Sequence, residues 1–153
     1  MSVQEKLEQM GVTLPDAPKP LGAYVPVKIA GRFAFCSGVL PMKDGEMKFA
    51  GKLGADISVD DGREAAKLCV INVLANLKDA LGNLERVVGV VRVEGYFNCA
   101  PGCTELPQAL NGASELFAEL FGSAGVHSRM VVGVSELPLN AVMELVCVFE
   151  ISD

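Results

Sequence analysis

The chain has a single histidine and no excess of basic charge: 13 Lys and Arg stand against 19 Asp and Glu, for a formal net charge of −6. A protein that works on nucleic acid needs clustered basic side chains to neutralise phosphates. The basic residues here are scattered, with no run, which argues against nucleic acid as a main partner. Small anions remain open, because one well-placed Arg can hold a carboxylate through paired hydrogen bonds. No stretch of about 18 uninterrupted apolar residues occurs, so no membrane span is expected. Met1–Gly11 is charged and amphipathic and lacks an apolar leader segment, which points to the cytoplasm. The 5 cysteines are an odd number at loose spacing and fit free thiols better than a disulfide framework.

What is present is mostly apolar. Half of the 153 residues are hydrophobic and 21% are charged, with a mean hydropathy of +0.36. Such a composition excludes disorder. At this length one domain is expected, over residues 1–153, burying roughly 68–70% of the surface of the unfolded chain. Residues 1–21 form its N-terminal helix and arm. So apolar a chain is expected to hide part of its surface in an oligomer.

Polar and apolar residues alternate at helical spacing from Val3 to Met10, and Gly11 can end that helix. Thr13–Gly22, with its prolines, is an arm. Tyr24–Ala30 and Phe33–Ser37 read as a hairpin turning at Gly31–Arg32. Lys43–Gly45 is a turn, and Met47–Gly54 adds a short edge strand. Ser58 or Asp60 can cap a helix running to Leu81 and stopping at Gly82; its buried stripe is Ala65, Leu68, Cys69, Val73, Leu77 and Ala80. Arg86–Phe97 is a Val-rich central strand. Thr104 can cap a second helix, with Pro107 in its first turn and its end at Phe121–Gly122. Leu106, Leu110, Ala113, Leu116, Phe117 and Leu120 form that helix's stripe. His127–Ser135 and Ala141–Ile151 are strands around a turn at Leu137–Asn140. Paired strands around two helices make the chain α+β, with one mixed sheet carrying both helices on one face. The other face then needs a cover, and a second subunit is the natural one.

Few residues can carry chemistry. His127, Arg129, Val131 and Gly133 share one face of their strand, while Met130, Val132 and Val134 face the core. An Arg in an apolar strand needs an anion, from the protein or from a ligand. A hairpin centred near Pro138 sets Glu144 within a residue or two of Arg129 across the pair; the plainest outcome is a structural ion pair. Cys99–Cys103 and a lone, distant His127 do not make a zinc site, which takes four N or S ligands, and a Cys–His catalytic pair is disfavoured. The glycines match turns rather than a phosphate loop. His127 reads as a packed or rim residue.

One combination is specific: Leu21-Gly-Ala-Tyr24, Phe35-Cys-Ser-Gly-Val-Leu-Pro41, Leu110-Asn111 through Phe117, and Arg129 followed by Leu137-Pro138 and Glu144. With these spacings the chain, from about Gly22 to Ile151, resembles the reactive-intermediate deaminase family (Rid, YjgF-like, in older usage endoribonuclease L-PSP). The resemblance implies a chorismate-mutase-like fold and a barrel-like homotrimer with clefts between subunits. It implies hydrolysis of 2-aminoacrylate-type enamines and imines to 2-keto acids and ammonia, without cofactor or metal. Arg129 matches the residue that grips the substrate carboxylate and Glu144 the one that holds water. Tyr24 matches the residue that closes the cleft, Ser37 and Gly38 the backbone at the substrate head, and Asn111 a cleft-side residue. The family often has Pro-Ala where this chain has His127-Ser128, and commonly Cys where it has Val131, which leaves only a backbone amide there. The expected partners are thus a small imino-acid or carboxylate metabolite and two further copies of the chain. The rival readings are a non-catalytic module that binds small carboxylates, an endoribonuclease, and a holdase using exposed apolar surface.

Overall fold

Local signals set the helices. In the computed structural model, which describes residues 1–20 and 22–153, Ser2 Oγ accepts from the Glu5 amide at 3.1 Å while the Glu5 carboxylate accepts from the Ser2 amide at 2.7 Å. This reciprocal cap starts α1 (Val3–Gln9), and Gly11 ends it at φ 72°. Leu21, the first residue of the Tyr24 segment, lies outside the described residues. Ser58, rather than Asp60, caps α2 (Val59–Leu81) by accepting from the Asp61 amide. α3 (Leu106–Phe121) starts differently from expectation: Glu105 holds the cap position, without a side-chain cap, and Thr104 lies outside the helix. Pro107 needs no amide partner in a first turn, which eases that start.

The strands are β1 (Val27–Ala30), β2 (Phe33–Cys36), β5 (Val87–Asn98), β6 (Ser128–Val134) and β7 (Met143–Ile151), joined in one sheet in the order β1-β2-β7-β5-β6. β3 (Met42–Lys43) and β4 (Glu46–Met47) form a separate small hairpin, so the expected edge strand at Met47–Gly54 is reduced to β4 and isolated bridges at Ala50 and Leu53. β1–β2, β2–β7 and β7–β5 are antiparallel, and β5–β6 is parallel with α3 as the crossover. This is the mixed α+β sheet expected.

The β6–β7 pairing differs. The Leu137–Asn140 turn does not close a hairpin; β6 pairs with β5, and β7 lies on the far side of β5. Glu144 is opposite Tyr96, which is in turn opposite Val132. A whole strand therefore separates Glu144 from β6, and the expected Arg129–Glu144 neighbourhood does not form within one chain.

Strand alternation divides the sheet. Met143, Leu145, Cys147, Phe149 and Ile151 of β7 are buried under α2 and α3. Phe117 of α3 meets Phe149 edge-on, with ring centroids 5.8 Å apart. Ala80, expected on the buried stripe of α2, is exposed. The opposite face of the sheet is open, with Phe33, Phe35 and Val132 each more than 40% exposed. No helix among the described residues is long and apolar enough to cross a membrane.

Candidate functional site

The parallel register fixes the face on which Arg129 sits. Arg129 is opposite Val93, Val131 opposite Gly95 and Gly133 opposite Phe97, all three partners being buried. Arg129 and Val131 thus lie on the helix side of the sheet, and Val131 packs against the core. Val132, expected in the core, lies on the open face instead, as do its alternates Met130 and Val134. Both faces of β6 read apolar, so the sequence alone could not say which was inside.

On the edge strand, the Arg129 guanidinium reaches α3. Asn111 and Ser114, one helical turn apart, share a face of α3. Arg129 Nη1 donates to Asn111 Oδ1 at 2.8 Å and to Ser114 Oγ at 3.1 Å. Both Nη1 hydrogens are then used. Nη2 makes only a 3.5 Å bond to the Pro107 carbonyl, and Nε donates to none of the described residues. The Nε/Nη2 edge is therefore free to receive the two oxygens of a planar carboxylate.

His127 stands beside this group. Its Nδ1 is 2.7 Å from the Gly125 carbonyl and its Nε2 is 2.9 Å from Ser114 Oγ. The ring packs edge-on against Phe117, with centroids 5.8 Å apart. Asn111, Ser114, Ala118, Val126, His127 and Arg129 line an open cleft of about 290 Å³. His127 is thus a cleft residue. Ser114 was not anticipated from the sequence; its position three residues after Asn111 on a helix was the available signal.

The other candidate residues gather elsewhere. Glu144 lies on the open face of β7 and against Gly38, where an added Cβ would stand 2.5 Å from Glu144 Oε1. A larger residue at position 38 would push that carboxylate out of its present place. The Val39–Leu145 bridge holds the two segments together. Ser37 Oγ donates to the Val25 carbonyl at 2.6 Å, which ties Ser37 to the segment carrying Tyr24; Tyr24 is 55% exposed. Glu144 is half-buried, and burial raises its carboxyl above the ordinary 4.5. Among the described residues it has no hydrogen-bond partner, unlike Glu94, which accepts from Tyr96 and Arg92. A carboxylate that holds its proton to higher pH, without a partner, can take and give protons. The seven candidates therefore form two groups, Arg129–Asn111–Val131 and Glu144–Gly38–Ser37–Tyr24, on opposite faces of the sheet.

Among the described residues no cysteine side chain hydrogen-bonds to either group. Cys36, Cys69 and Cys147 are buried, and burial pushes the Cys36 thiol up to about 12. Cys99 and Cys103 line a second concavity, of about 500 Å³, with Lys52. The Lys52 ammonium is already bound there by Asn98 Oδ1 at 2.7 Å and the Ser135 carbonyl at 2.6 Å. Among the described residues no three His, Cys, Asp or Glu side chains converge on a metal-sized site.

The chain is thus a mixed α+β sheet with an arginine-bearing cleft at its edge, and the relatives place it in a family. Residues 4–151 match the family described as "YjgF/chorismate_mutase-like, putative endoribonuclease". The chain belongs to this YjgF/L-PSP (Rid-like) family. It is 36% identical to Protein TCP17 of Trypanosoma cruzi, over 99% of this chain and 95% of that one. A solved structure named as a "putative endoribonuclease" from Shewanella oneidensis MR-1 is 38% identical, covers 99% of this chain and 100% of its own, and superposes with a TM-score of 0.95. The protein Atu1372 "with unknown function" from Agrobacterium tumefaciens is 37% identical, over 97% and 91% of the two chains, with a TM-score of 0.89.

Proposed function

We propose that the protein hydrolyses small 2-enamine and 2-imino acids to 2-keto acids and ammonia, in a cleft completed by a second copy of the chain. The observation that carries the reading is the Arg129 guanidinium, with Nη1 fixed by Asn111 and Ser114 and its Nε/Nη2 edge open. The separation of the two residue groups supports the second part. One chain does not bring Glu144 to Arg129, so on this reading the Glu144 of each cleft comes from a second copy. The family is one of small oligomers that bind small ligands, and we assign a cytoplasmic homotrimer.

In this mechanism Arg129 takes the substrate carboxylate bidentately, beside Asn111 and the Val131 backbone. That places the C=N carbon near a water held by Glu144 of the adjoining copy. Glu144 takes a proton from the water as it adds to C2 and passes it to the nitrogen, giving the carbinolamine; on collapse it relays the hydroxyl proton to the same nitrogen, which leaves as ammonia. Imine and water thus become keto acid and ammonia. Tyr24 closes the cleft, and the Ser37–Gly38 backbone meets the substrate head. General acid–base assistance of this kind supplies about 10²–10⁴-fold, and no cofactor is needed for the step.

The test generates 2-aminoacrylate and other 2-imino acids in situ and follows keto-acid release. Acceleration by the wild type that vanishes in Arg129→Ala, and falls steeply in Arg129→Lys without change of assembly, is expected. Near-normal turnover by Arg129→Lys refutes Arg129 as the anchor. Absence of acceleration with every imino acid, together with tight keto-acid binding, turns the assignment to a non-catalytic carboxylate-binding module. A ribonuclease reading has one cation in the cleft and a chain charge of −6 against it.

A further inference from the structure

Ser114 and His127 are polar groups in the cleft that touch neither substrate nor water in the proposed reaction. We propose that they are positioning residues, which with the Gly125 carbonyl clamp one corner of the Arg129 guanidinium and so decide which edge meets the carboxylate. The proposal rests on the reading of Arg129 as the carboxylate anchor.

Each link fixes the direction of the next. A backbone carbonyl can only accept, so at 2.7 Å from the Gly125 oxygen the His127 Nδ1 carries the hydrogen. With a single ring hydrogen, carried at Nδ1, Nε2 presents a lone pair, and the Ser114 hydroxyl, 2.9 Å away, donates to it. That uses the only proton of the hydroxyl and turns its remaining lone pairs outward. One of these accepts from Arg129 Nη1 at 3.1 Å, while Asn111 Oδ1 takes the second Nη1 hydrogen at 2.8 Å. In the opposite tautomer two acceptors would face each other at Gly125. Phe117 holds the ring plane from the side, at an interplanar angle of 78°.

The clamp acts on binding through preorganisation. An arginine free in solvent loses its rotamer freedom when a ligand arrives. Here the guanidinium plane is set on folding, and with Nη1 committed only the Nε/Nη2 edge remains. The site is thereby shaped for a planar carboxylate approaching from one side.

Three measurements test this on the full chain. His127 is the only histidine, so its ¹⁵N imidazole signals need no assignment; a protonated Nδ1 and an unprotonated Nε2 are expected, and the Nε2–H form overturns the proposal. Separate Nη signals from a rotationally restrained Arg129 guanidinium are expected in the wild type and should merge in Ser114→Ala and His127→Ala. Their persistence in Ser114→Ala overturns it. Finally, calorimetric binding of pyruvate should weaken about tenfold in Ser114→Ala, as for loss of one charge-assisted hydrogen bond. The same substitution should cost nothing more in an Arg129→Lys background, and His127→Gln should recover most of what His127→Ala loses. Equal losses in both backgrounds overturn the proposal, since Ser114 would not then act through Arg129. A clamped Arg129 in a wild type that binds no pyruvate supports the clamp and overturns the anchor reading instead.

Discussion

Alanine at Gly112 should destabilise the protein although alanine is the better helix former. Gly112 sits in α3 where that helix crosses α2, and an added Cβ would stand 2.2 Å from the Arg63 carbonyl oxygen and 2.9 Å from the carbonyl carbon. The obstacle is backbone, which cannot rotate away, so the helices must part by about 1 Å. Overpacking costs about 1–3 kcal/mol, and a clash with rigid backbone falls in the upper part of that range, about 2–3 kcal/mol. Parting also strains the Arg63 bonds across the same contact, to the Gln108 carbonyl at 3.0 Å and to the Glu115 carboxylate. Helix propensity returns about 1 kcal/mol. The net loss of about 1–2 kcal/mol corresponds to a Tm lower by about 2–8 °C for a domain of this size. Thermal unfolding followed by circular dichroism, at matched protein concentration, measures it. Because Asn111 and Ser114 ride on the displaced helix, carboxylate affinity should fall as well. A Tm unchanged or raised would refute the close contact between α2 and α3.

Thiol titration should find no more than two reactive cysteines in the native protein, Cys99 and Cys103. Cys36, Cys69 and Cys147 should react only after unfolding, since burial opposes their thiolates; a third fast thiol would contradict the packing of β2, α2 and β7. The pH dependence of Glu144→Gln gives a signed test. Burial raises the Glu144 carboxyl above 4.5 in the folded state, so folding favours its protonated form. That contribution is whole below pH 4.5 and is lost as pH rises through the raised value. The Gln variant should therefore gain stability relative to wild type across that window, measured as a urea midpoint at each pH. A pH-independent difference would show that the carboxyl is not perturbed.

Much of this was legible from local signals. Ser58, Gly82 and Gly122 bound the two long helices because caps and stops are encoded in single residues. The Gly31–Arg32 turn fixes the β1–β2 hairpin for the same reason. The sheet order was not legible: Leu137–Asn140 looks like a hairpin turn, yet β6 crosses by way of α3 to pair with β5. Nothing local to β6 distinguishes an antiparallel neighbour from a parallel one. The error passed to the site, because pairing decides whether Val131 or Val132 faces the core. Arg129 and Glu144 were found as residue types in a pattern, while their distance apart was a matter of topology. Ser114 escaped notice because a serine within a helix carries no signal until its neighbour across the cleft is known.

The middle position of β7 has a kinetic meaning. This strand, the last in sequence order, is the one that joins the β1–β2 hairpin to the β5–β6 pair. Phe33 meets Glu150 across the β2–β7 ladder, so joining them closes a loop of more than a hundred residues, at an entropic cost of about 4 kcal/mol. Until then β2 and β5 each expose an unpaired edge. The slow step of folding should be the insertion of β7 between two preformed pieces, and that is the interval in which chains of this protein are most prone to pair with one another instead of with themselves.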